Sequence, residues 1–324
     1  MRYKKMHKTG VEVSEITVGT WAIGGASSTG SNYGEVDDER SIEAIRAMLA
    51  GGVNLIDTAP IYGEGHSEKV VGRAIEGLDR SKILVATKFG EFADNGTTRY
   101  CSEPSCIART LEQSLKSLGT DYLDMYIMHW PDREGTPLEE TMRYVDSLKE
   151  QGIVRMLGIS NFGQELMEEA CELADIDIVQ LPFSMVNMSA MSKMQWCEAH
   201  DIDVMTYGSL GAGILTGGIR ELPEFDEKDF RLTFYPFYRE PLFSKIMEFL
   251  TTMDVLAEKY GKPLAQIAIN WNSSKSFVTT SLTGVRDAAE AAENCAAFEW
   301  QLEPEDVALL DAELDRLGIT EAVS

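Results

Sequence analysis

The chain has 324 residues, 44% of them hydrophobic, and a formal net charge of −24 at pH 7. That length exceeds an average domain, lies within the range of one large α/β barrel and suffices for a sizeable core. Such an acidic excess argues against nucleic acid or an anionic membrane as a partner, because both require clustered Lys and Arg. We expect a single domain over residues 1–324.

The N-terminal segment has no apolar run behind it, and no stretch approaches membrane-spanning length. These features predict a cytoplasmic protein. The cysteines are odd in number and lack the C-x-x-C spacing of metal ligands, so we expect reduced thiols, with neither a disulfide nor a metal site. They are Cys101, Cys106, Cys171, Cys197 and Cys295.

Short apolar, β-branched runs alternate with helical patterns, which is typical of parallel βα units. Eight such units favour a closed barrel over an open sheet, because no Gly-x-Gly-x-x-Gly turn follows the first run. The predicted fold class is α/β, a (β/α)8 TIM barrel. The predicted strands cover residues 16–21, 54–57, 83–87, 123–128, 154–159, 176–181, 202–206 and 277–282.

Two further segments complete the predicted fold. Residues 2–13, with Thr9-Gly10 between two short segments, resemble a β-hairpin that plugs one end of the barrel. Ser67 is predicted to cap a helix, and Gly119 is predicted to end the next one.

A long irregular segment, residues 211 to about 241, separates the predicted seventh and eighth strands. It is first rich in glycine, then acidic, then aromatic. Loops of this length are more often functional than idle, so we expect a flap; an exposed insertion is the alternative. The aromatic residues are Phe230, Phe234, Tyr235, Phe237 and Tyr238.

Four chemically active side chains fall at or just past the ends of successive predicted strands. Asp57 ends the second strand, and Tyr62 follows in a loop punctuated by proline and glycine. Lys88 and His129 follow the third and fourth strands. Because the carboxyl ends of barrel strands form one face, we expect the four side chains to share a site.

These side chains together suit proton transfer to a carbonyl oxygen. A phenol is a poor donor, with a reference pKa of about 10, but a nearby ammonium favours the phenolate and makes the phenol a better acid. A carboxylate keeps that ammonium charged, and a histidine can hydrogen-bond a substrate oxygen. Because no protein side chain donates hydride, the reaction requires a nicotinamide cofactor.

Each residue alone also has an ordinary structural explanation. Asp57 could cap a helix, although Thr58-Ala59-Pro60 is no helix start, and Tyr62 could pack within its loop. Lys88 could form a structural salt bridge or, in a lyase or aldolase, a Schiff base. His129 could be a satisfied interior histidine. Their joint placement at consecutive strand ends favours a shared site.

Several motifs surround these positions: Gly19-Thr20-Trp21, residues 54–68 (NLIDTAPIYGEGHSE), Ala86-Thr87-Lys88, residues 121–132 (DYLDMYIMHWPD) and residues 158–162 (GISNF). Together they resemble the aldo-keto reductases from about Lys5 to Leu317. The resemblance implies an NAD(P)-dependent oxidoreductase that interconverts an aldehyde, sugar, inositol or similar polyol ketone and an alcohol. It also implies that Asp57, Tyr62, Lys88 and His129 form the family tetrad, with Tyr62 as the proton donor.

The same resemblance implies the ligand contacts. Those at the nicotinamide end are Trp21, Ser160, Asn161, Gln180 and the stacking Tyr207. The pyrophosphate loop corresponds to Ser209, Leu210, Gly211 and Gly213, and the adenosine end to Gly284, Arg286, Glu290 and Asn294. The substrate pocket is lined by Trp21, Phe89 and Trp130.

The expected cofactor is NADP(H), favoured over NAD(H). Arg286 suits a 2′-phosphate because a guanidinium pairs well with that group. Glu290 replaces a commonly neutral or basic residue there and opposes the phosphate. Gly218 stands where relatives commonly have lysine, and Thr283 where proline is common.

Two other functions stay open. A cofactor-binding sensor or accessory subunit would use the same barrel with little turnover, although the intact tetrad and the lack of an added interaction domain count against it. A lyase or aldolase based on Lys88 would need no nicotinamide. The partner expected in the main hypothesis is a small-molecule carbonyl or polyol substrate.

Overall fold

A computed structural model describes residues 1–28, 36–224 and 235–319 of the chain. The strands are β1 (Tyr3–Lys5), β2 (Glu12–Ser14), β3 (Ile16–Gly19), β4 (Leu55–Asp57), β5 (Leu84–Phe89), β6 (Phe92–Asp94), β7 (Thr97–Arg99), β8 (Leu123–Met128), β9 (Val154–Ser160), β10 (Ile176–Pro182), β11 (Asp203–Tyr207) and β12 (Thr280–Gly284). Eight of them form a closed parallel barrel in the order β3-β4-β5-β8-β9-β10-β11-β12. The predicted (β/α)8 barrel is confirmed.

The helices surround this barrel. They are α1 (Asp38–Ala50), α2 (His66–Ile75), α3 (Pro104–Leu118), α4 (Leu138–Glu150), α5 (Gln164–Leu173), α6 (Met191–Ala199), α7 (Leu242–Tyr260), α8 (Leu264–Ser273), α9 (Ala288–Ala296) and α10 (Pro304–Arg316). Among the described residues, no helix has the length and apolar character that a membrane crossing requires.

Local sequence explains the helix boundaries. Pro104 opens α3 in its first turn, and Gly119 ends it in the left-handed conformation at φ 65°. The side chain of Asp37 accepts a hydrogen bond from the Arg40 backbone and caps α1. In helices such as α3 and α4, apolar residues at helical spacing bury one face, whereas α8 is buried on all sides.

The N-terminal hairpin closes one end of the barrel, as predicted. β1 and β2 pair antiparallel, with Lys4 opposite Val13. Met6 and Val13 are buried and pack with the residues inside the barrel, including Leu55 and Met125. The carboxyl ends of the barrel strands, which carry the candidate site residues, therefore lie at the opposite end of the barrel.

Side chains alternate between the barrel interior and the helix layer. Ala86 packs with the interior cluster, whereas Val85 and Phe89 pack with the cluster between strands and helices. β5 continues to Phe89, two residues beyond the predicted end, so Lys88 lies on the same face as Ala86 and points inward.

The predicted cap at Ser67 is wrong. Helix α2 begins at His66, and Gly65, at φ 86°, occupies the cap position. The Ser67 hydroxyl is buried and donates to Thr20 Oγ1 at 2.8 Å, and it lies 3.0 Å from Thr58 Oγ1. It therefore ties the loops after β3 and β4 together instead of capping the helix.

The expectation that all five cysteines are reduced thiols is also wrong. Cys101 and Cys106 form a disulfide, with Cα atoms 6.4 Å apart, while the other three are free. The sequence separation is only five residues, but the chain turns into α3 between them and brings the two side chains together. The disulfide between Cys101 and Cys106 therefore occupies two sulfur atoms that could otherwise serve as metal ligands.

The long segment before α7 is described only at its two ends. A 3-10 helix covers Gly211–Thr216 and another covers Pro236–Tyr238, and the Tyr238 hydroxyl donates to Ala212 O at 3.0 Å. Phe230 and Phe234 of the expected flap lie outside the described residues. So does the middle of the glycine-bearing loop after β3, residues 29–35.

Candidate active site

Lys88 lies at the centre of the candidate site. Its Nζ contacts Asp57 Oδ2 at 2.6 Å and donates to the Thr58 backbone carbonyl at 2.9 Å and to the Tyr62 hydroxyl oxygen at 3.3 Å. The Lys88 side chain is fully buried. Three of the four predicted residues thus meet around one ammonium group.

The barrel register places these groups together. β4 pairs with β5, and Asp57 lies opposite Ala86, two residues before Lys88. The loop after β4 then turns back at Gly63, which has φ 59°. A Cβ there would lie 1.7 Å from the Gly24 carbonyl oxygen, so only glycine permits the close approach that brings Tyr62 over the strand end.

The electrostatics of the pair follow from burial. Burial lowers the pKa of Lys88 from its ordinary value, and the Asp57 carboxylate gives the largest opposing effect. The other carboxylate oxygen of Asp57 accepts a hydrogen bond from Gln180 Nε2 at 2.9 Å. Asp57 is therefore held between a cation and an amide, which fixes the ammonium beneath the Tyr62 hydroxyl.

His129 stands beside Tyr62, with ring centroids 5.8 Å apart and planes at 82°. Its backbone N–H donates to Phe89 O at 2.8 Å, because β5 and β8 are neighbours. Glu91 Oε2 lies 2.7 Å from His129 Nδ1. Sequence reasoning missed Glu91, and the available signal was an acid three residues past Lys88 within the same strand-end loop.

The predicted nicotinamide-end residues form a connected group. Ser160 donates to the Gln180 carbonyl at 3.0 Å. Asn161, in the left-handed conformation at φ 63°, donates to the His129 carbonyl at 2.9 Å and accepts from the Tyr207 hydroxyl at 2.8 Å. Burial raises the pKa of Tyr207, so its phenol stays neutral. This group adjoins the Lys88 cluster through Gln180 and His129.

The predicted pyrophosphate loop follows β11 and continues into the 3-10 helix Gly211–Thr216. The Ser209 hydroxyl donates to Leu282 O at 3.1 Å, which joins the ends of β11 and β12, and Leu210 precedes the turn. Gly211 and Gly213 have φ of 55° and 95°. No described atom lies within 4 Å of a Cβ built on Gly213 or on Gly284. Among the described residues, the backbone therefore has free space beside Gly213, in the 3-10 helix, and beside Gly284, the last residue of β12.

The predicted adenosine end is more exposed. Arg286 Nη2 lies 2.6 Å from Glu290 Oε1, and the Arg286 backbone N–H donates to Glu290 Oε2 at 2.9 Å. Asn294 donates to the Gly284 carbonyl at 3.2 Å and so joins α9 to the end of β12. These residues lie together, and Arg286 is already engaged by an acid.

Only two of the three residues predicted to line the substrate pocket lie at the carboxyl end of the barrel with part of their surface exposed. Trp21 opens the 3-10 turn after β3, and Trp130 follows His129; both are half-buried. Phe89 is buried, and its ring packs on Tyr126 with centroids 4.7 Å apart. Its expected place in the pocket is wrong, because Lys88 points into the barrel and the next residue along the strand must point outward.

Comparison with known proteins agrees with this architecture. The sequence model of the Aldo/keto reductase family matches residues 15–315. Aldo-keto reductase YhdN of Bacillus subtilis is 35% identical over 310 residues, covering 94% of this chain and 91% of the relative. The NADH-specific methylglyoxal reductase of Escherichia coli is 29% identical over 316 residues, covering 93% and 95%.

A solved structure is also similar. The glycerol dehydrogenase of Gluconobacter oxydans superimposes with a TM-score of 0.87 at 33% identity, covering 97% of this chain and 95% of that one. With a family model over residues 15–315 and relatives that cover more than nine tenths of the chain, the assignment does not depend on any single motif. The chain belongs to the aldo/keto reductase family and is an oxidoreductase of its nicotinamide-dependent class.

Proposed function

We propose that this protein interconverts a small carbonyl compound and the corresponding alcohol, with Tyr62 as general acid in reduction and general base in oxidation. We further propose that the whole chain acts as one domain in the cytoplasm. The observation that carries the chemistry is the Lys88 ammonium, which contacts both the Asp57 carboxylate and the Tyr62 hydroxyl oxygen.

Lys88 would act on Tyr62 through charge. It donates to the phenol oxygen and so stabilises the negative charge that remains when Tyr62 gives its proton to a carbonyl oxygen. Asp57 and the Thr58 carbonyl hold the other side of the ammonium. A buried ammonium with three oxygen partners is a poor nucleophile, which argues against a Schiff-base lyase.

The cofactor would occupy the face bounded by β9 to β12. When bound, a nicotinamide cofactor supplies or accepts the hydride. Ser160, Asn161 and Gln180 would hold its carboxamide, with Tyr207 and Trp21 against the ring. The open backbone at Gly213 and Gly284 supports a phosphate-bearing ligand at the next two strand ends, because it leaves room for close approach.

We propose NADP(H) over NAD(H) as the coenzyme, with Arg286 toward the 2′-phosphate. A phosphate must compete with Glu290 for that guanidinium, since the two side chains already pair at 2.6 Å. A relative of this chain is named as NADH-specific, so both coenzymes must be measured.

The substrate would be a small polar carbonyl compound or polyol, such as an aldehyde, sugar or inositol-like ketone. Two relatives of this chain are named as a methylglyoxal reductase and a glycerol dehydrogenase, and the compounds in both names are of this size class. Half-buried Trp21 and Trp130 would form apolar walls, while the ring of His129 beside Tyr62 offers a hydrogen bond to the reacting oxygen.

The proposal is tested by titrating the purified protein with NADPH and with NADH while following tryptophan fluorescence. We expect micromolar binding, tighter for NADPH, and coenzyme-dependent turnover in a screen of small aldehydes, sugars, inositols and polyols that includes glyceraldehyde and glycerol. Binding without turnover of any candidate would favour the sensor or accessory function. Absence of binding by both coenzymes would contradict the proposal.

A further inference from the structure

An acid that the sequence did not single out stands next to the histidine of the site. Gly90 follows β5 in the left-handed conformation at φ 85°, with the Trp130 carbonyl oxygen 3.2 Å from where a Cβ would lie. This turn directs Glu91 toward the residue that follows β8, the neighbouring strand. Glu91 and His129 are both buried, with 8% and 9% of their surfaces exposed.

The contact between them constrains the protons. Glu91 Oε2 lies 2.7 Å from His129 Nδ1, but it is off the line of the ring N–H, so Nδ1 makes no linear hydrogen bond to any described residue. An unprotonated nitrogen carries a partial negative charge and would repel a carboxylate oxygen at that distance. A proton on Nδ1 makes the contact attractive. The attraction is electrostatic and does not require a linear hydrogen bond.

A second group lies close to the carboxylate. Burial, and then the negative charge of Glu91, raise the pKa of Tyr100 against the opposing charge of Arg133. The Arg133 guanidinium lies 4.0 Å from the centre of the Tyr100 ring, and its backbone N–H donates to the Tyr100 carbonyl at 3.0 Å. The loops after β5 and β8 are thereby joined around Glu91.

We propose that Glu91 is a positioning residue that keeps a proton on Nδ1 of His129, so that Nε2 is the nitrogen presented to the substrate oxygen. This inference rests on the proposed carbonyl–alcohol chemistry. With Nδ1 protonated, Nε2 faces the reacting oxygen, and in the imidazolium its N–H donates a hydrogen bond to a carbonyl oxygen while Tyr62 supplies the transferred proton.

Nitrogen-15 NMR of the imidazole rings tests the proton directly, without turnover. The chain has four histidines, and a His129→Asn variant assigns the signal. We expect a protonated Nδ1 in the wild-type protein and a shift toward the Nε2–H tautomer in Glu91→Gln. Glu112→Gln, on the exposed face of α3, removes the same charge at a distance and should leave the His129 signal unchanged. A neutral wild-type ring protonated on Nε2 would overturn the proposal.

The pH profiles of glyceraldehyde reduction and glycerol oxidation provide the kinetic test. The charged or titratable groups around His129 are Asp57, Tyr62, Lys88, Glu91, Tyr100 and Arg133, and only Glu91 is changed.

In Glu91→Gln we expect about tenfold lower kcat for reduction. We also expect the pH profile of the reduction rate to differ from that of the wild type, because the variant lacks the negative charge beside Nδ1. Glu91→Asp should restore part of the rate. Profiles identical to wild type would contradict the role of Glu91, whereas an inactive wild-type protein with Nδ1 protonated would contradict the proposed function alone.

Discussion

Two ion pairs at the same end of the barrel differ in almost every physical respect. The side chains of Lys88 and Asp57 are 0% and 3% exposed, and each has further hydrogen-bonding partners inside the barrel. The side chains of Arg286 and Glu290 are 71% and 34% exposed and pair along one turn at the start of α9. The buried pair can hold a reacting group at fixed geometry, whereas the exposed pair can open for a ligand.

The difference follows from the solvent around each pair. In the barrel interior the dielectric constant is low, so the attraction between Lys88 and Asp57 is strong. Removing one partner would leave an uncompensated charge in this poorly solvating environment. At the surface, water and salt screen the pair, so exchanging Glu290 for another anion costs little. In the proposed function, the proton chemistry would depend on the buried pair and the coenzyme choice on the exposed pair.

The largest expected effect comes from breaking the buried pair. Lys88→Met removes the ammonium beneath Tyr62 and leaves Asp57 buried without its cation. We expect reduction to fall by about 10² or more and the free energy of unfolding to fall by about 3–5 kcal/mol. Steady-state kinetics and denaturant unfolding measure the two quantities separately.

The matched control for that variant is the double change Lys88→Met with Asp57→Asn, which removes both charges. Stability should recover substantially, because a neutral buried pair carries no uncompensated charge, but activity should not. Recovery of activity in the double variant would show that the ammonium has no part in the chemistry.

A smaller effect is expected at the exposed pair, and it concerns coenzyme choice. Arg286→Ala should weaken NADPH binding by about tenfold or more, with little change for NADH, because a charged hydrogen bond to the 2′-phosphate is lost. Glu290→Gln should act in the opposite direction and tighten NADPH alone. Binding titrations of both variants with NADPH and with NADH measure these changes. Equal effects on the two coenzymes would show that the 2′-phosphate binds elsewhere.

The smallest expected effect concerns a second buried acid near Lys88. Burial raises the pKa of Glu68 above its ordinary 4.5, while Thr87 donates a hydrogen bond to it at 2.7 Å. Its folded form therefore binds a proton more tightly than its unfolded form. The stability from that proton is complete below pH 4.5 and is lost as the pH rises through the raised pKa.

Glu68→Gln keeps the bond to Thr87 and removes this dependence. We expect the unfolding temperature of the variant, relative to wild type, to be higher in a neutral buffer than in an acidic one. Calorimetry in the two buffers measures this, and a difference of the opposite sign would show that Glu68 is stabilised as a carboxylate.

Most of the fold and part of the candidate site could be predicted from the sequence, because they depend on the order and spacing of the strands. The barrel and the positions of Asp57, Lys88 and His129 follow from one rule, that parallel strands release their last side chains on a common face. Tyr62 required only a loop that turns back. These features depend on strand order and spacing, which a sequence shows directly.

The predictions failed where the direction of a side chain depends on the backbone conformation at a single turn. β5 extends to Phe89, so that ring faces the helices and not the pocket. The left-handed Gly90 turns Glu91 toward His129, which spacing alone does not reveal. Likewise, the entry into α3 brings Cys101 and Cys106 together although their spacing resembles no known pairing motif.

The most direct test of the account is the rate of glyceraldehyde reduction by Tyr62→Phe at saturating NADPH, compared with wild type. The variant removes one hydroxyl and leaves the ring that stands beside His129. We predict unchanged NADPH binding and a loss of about 10² or more in the rate. A rate close to wild type, with the coenzyme bound normally, would contradict the assignment of Tyr62 as the proton donor and the role of the buried pair beneath it.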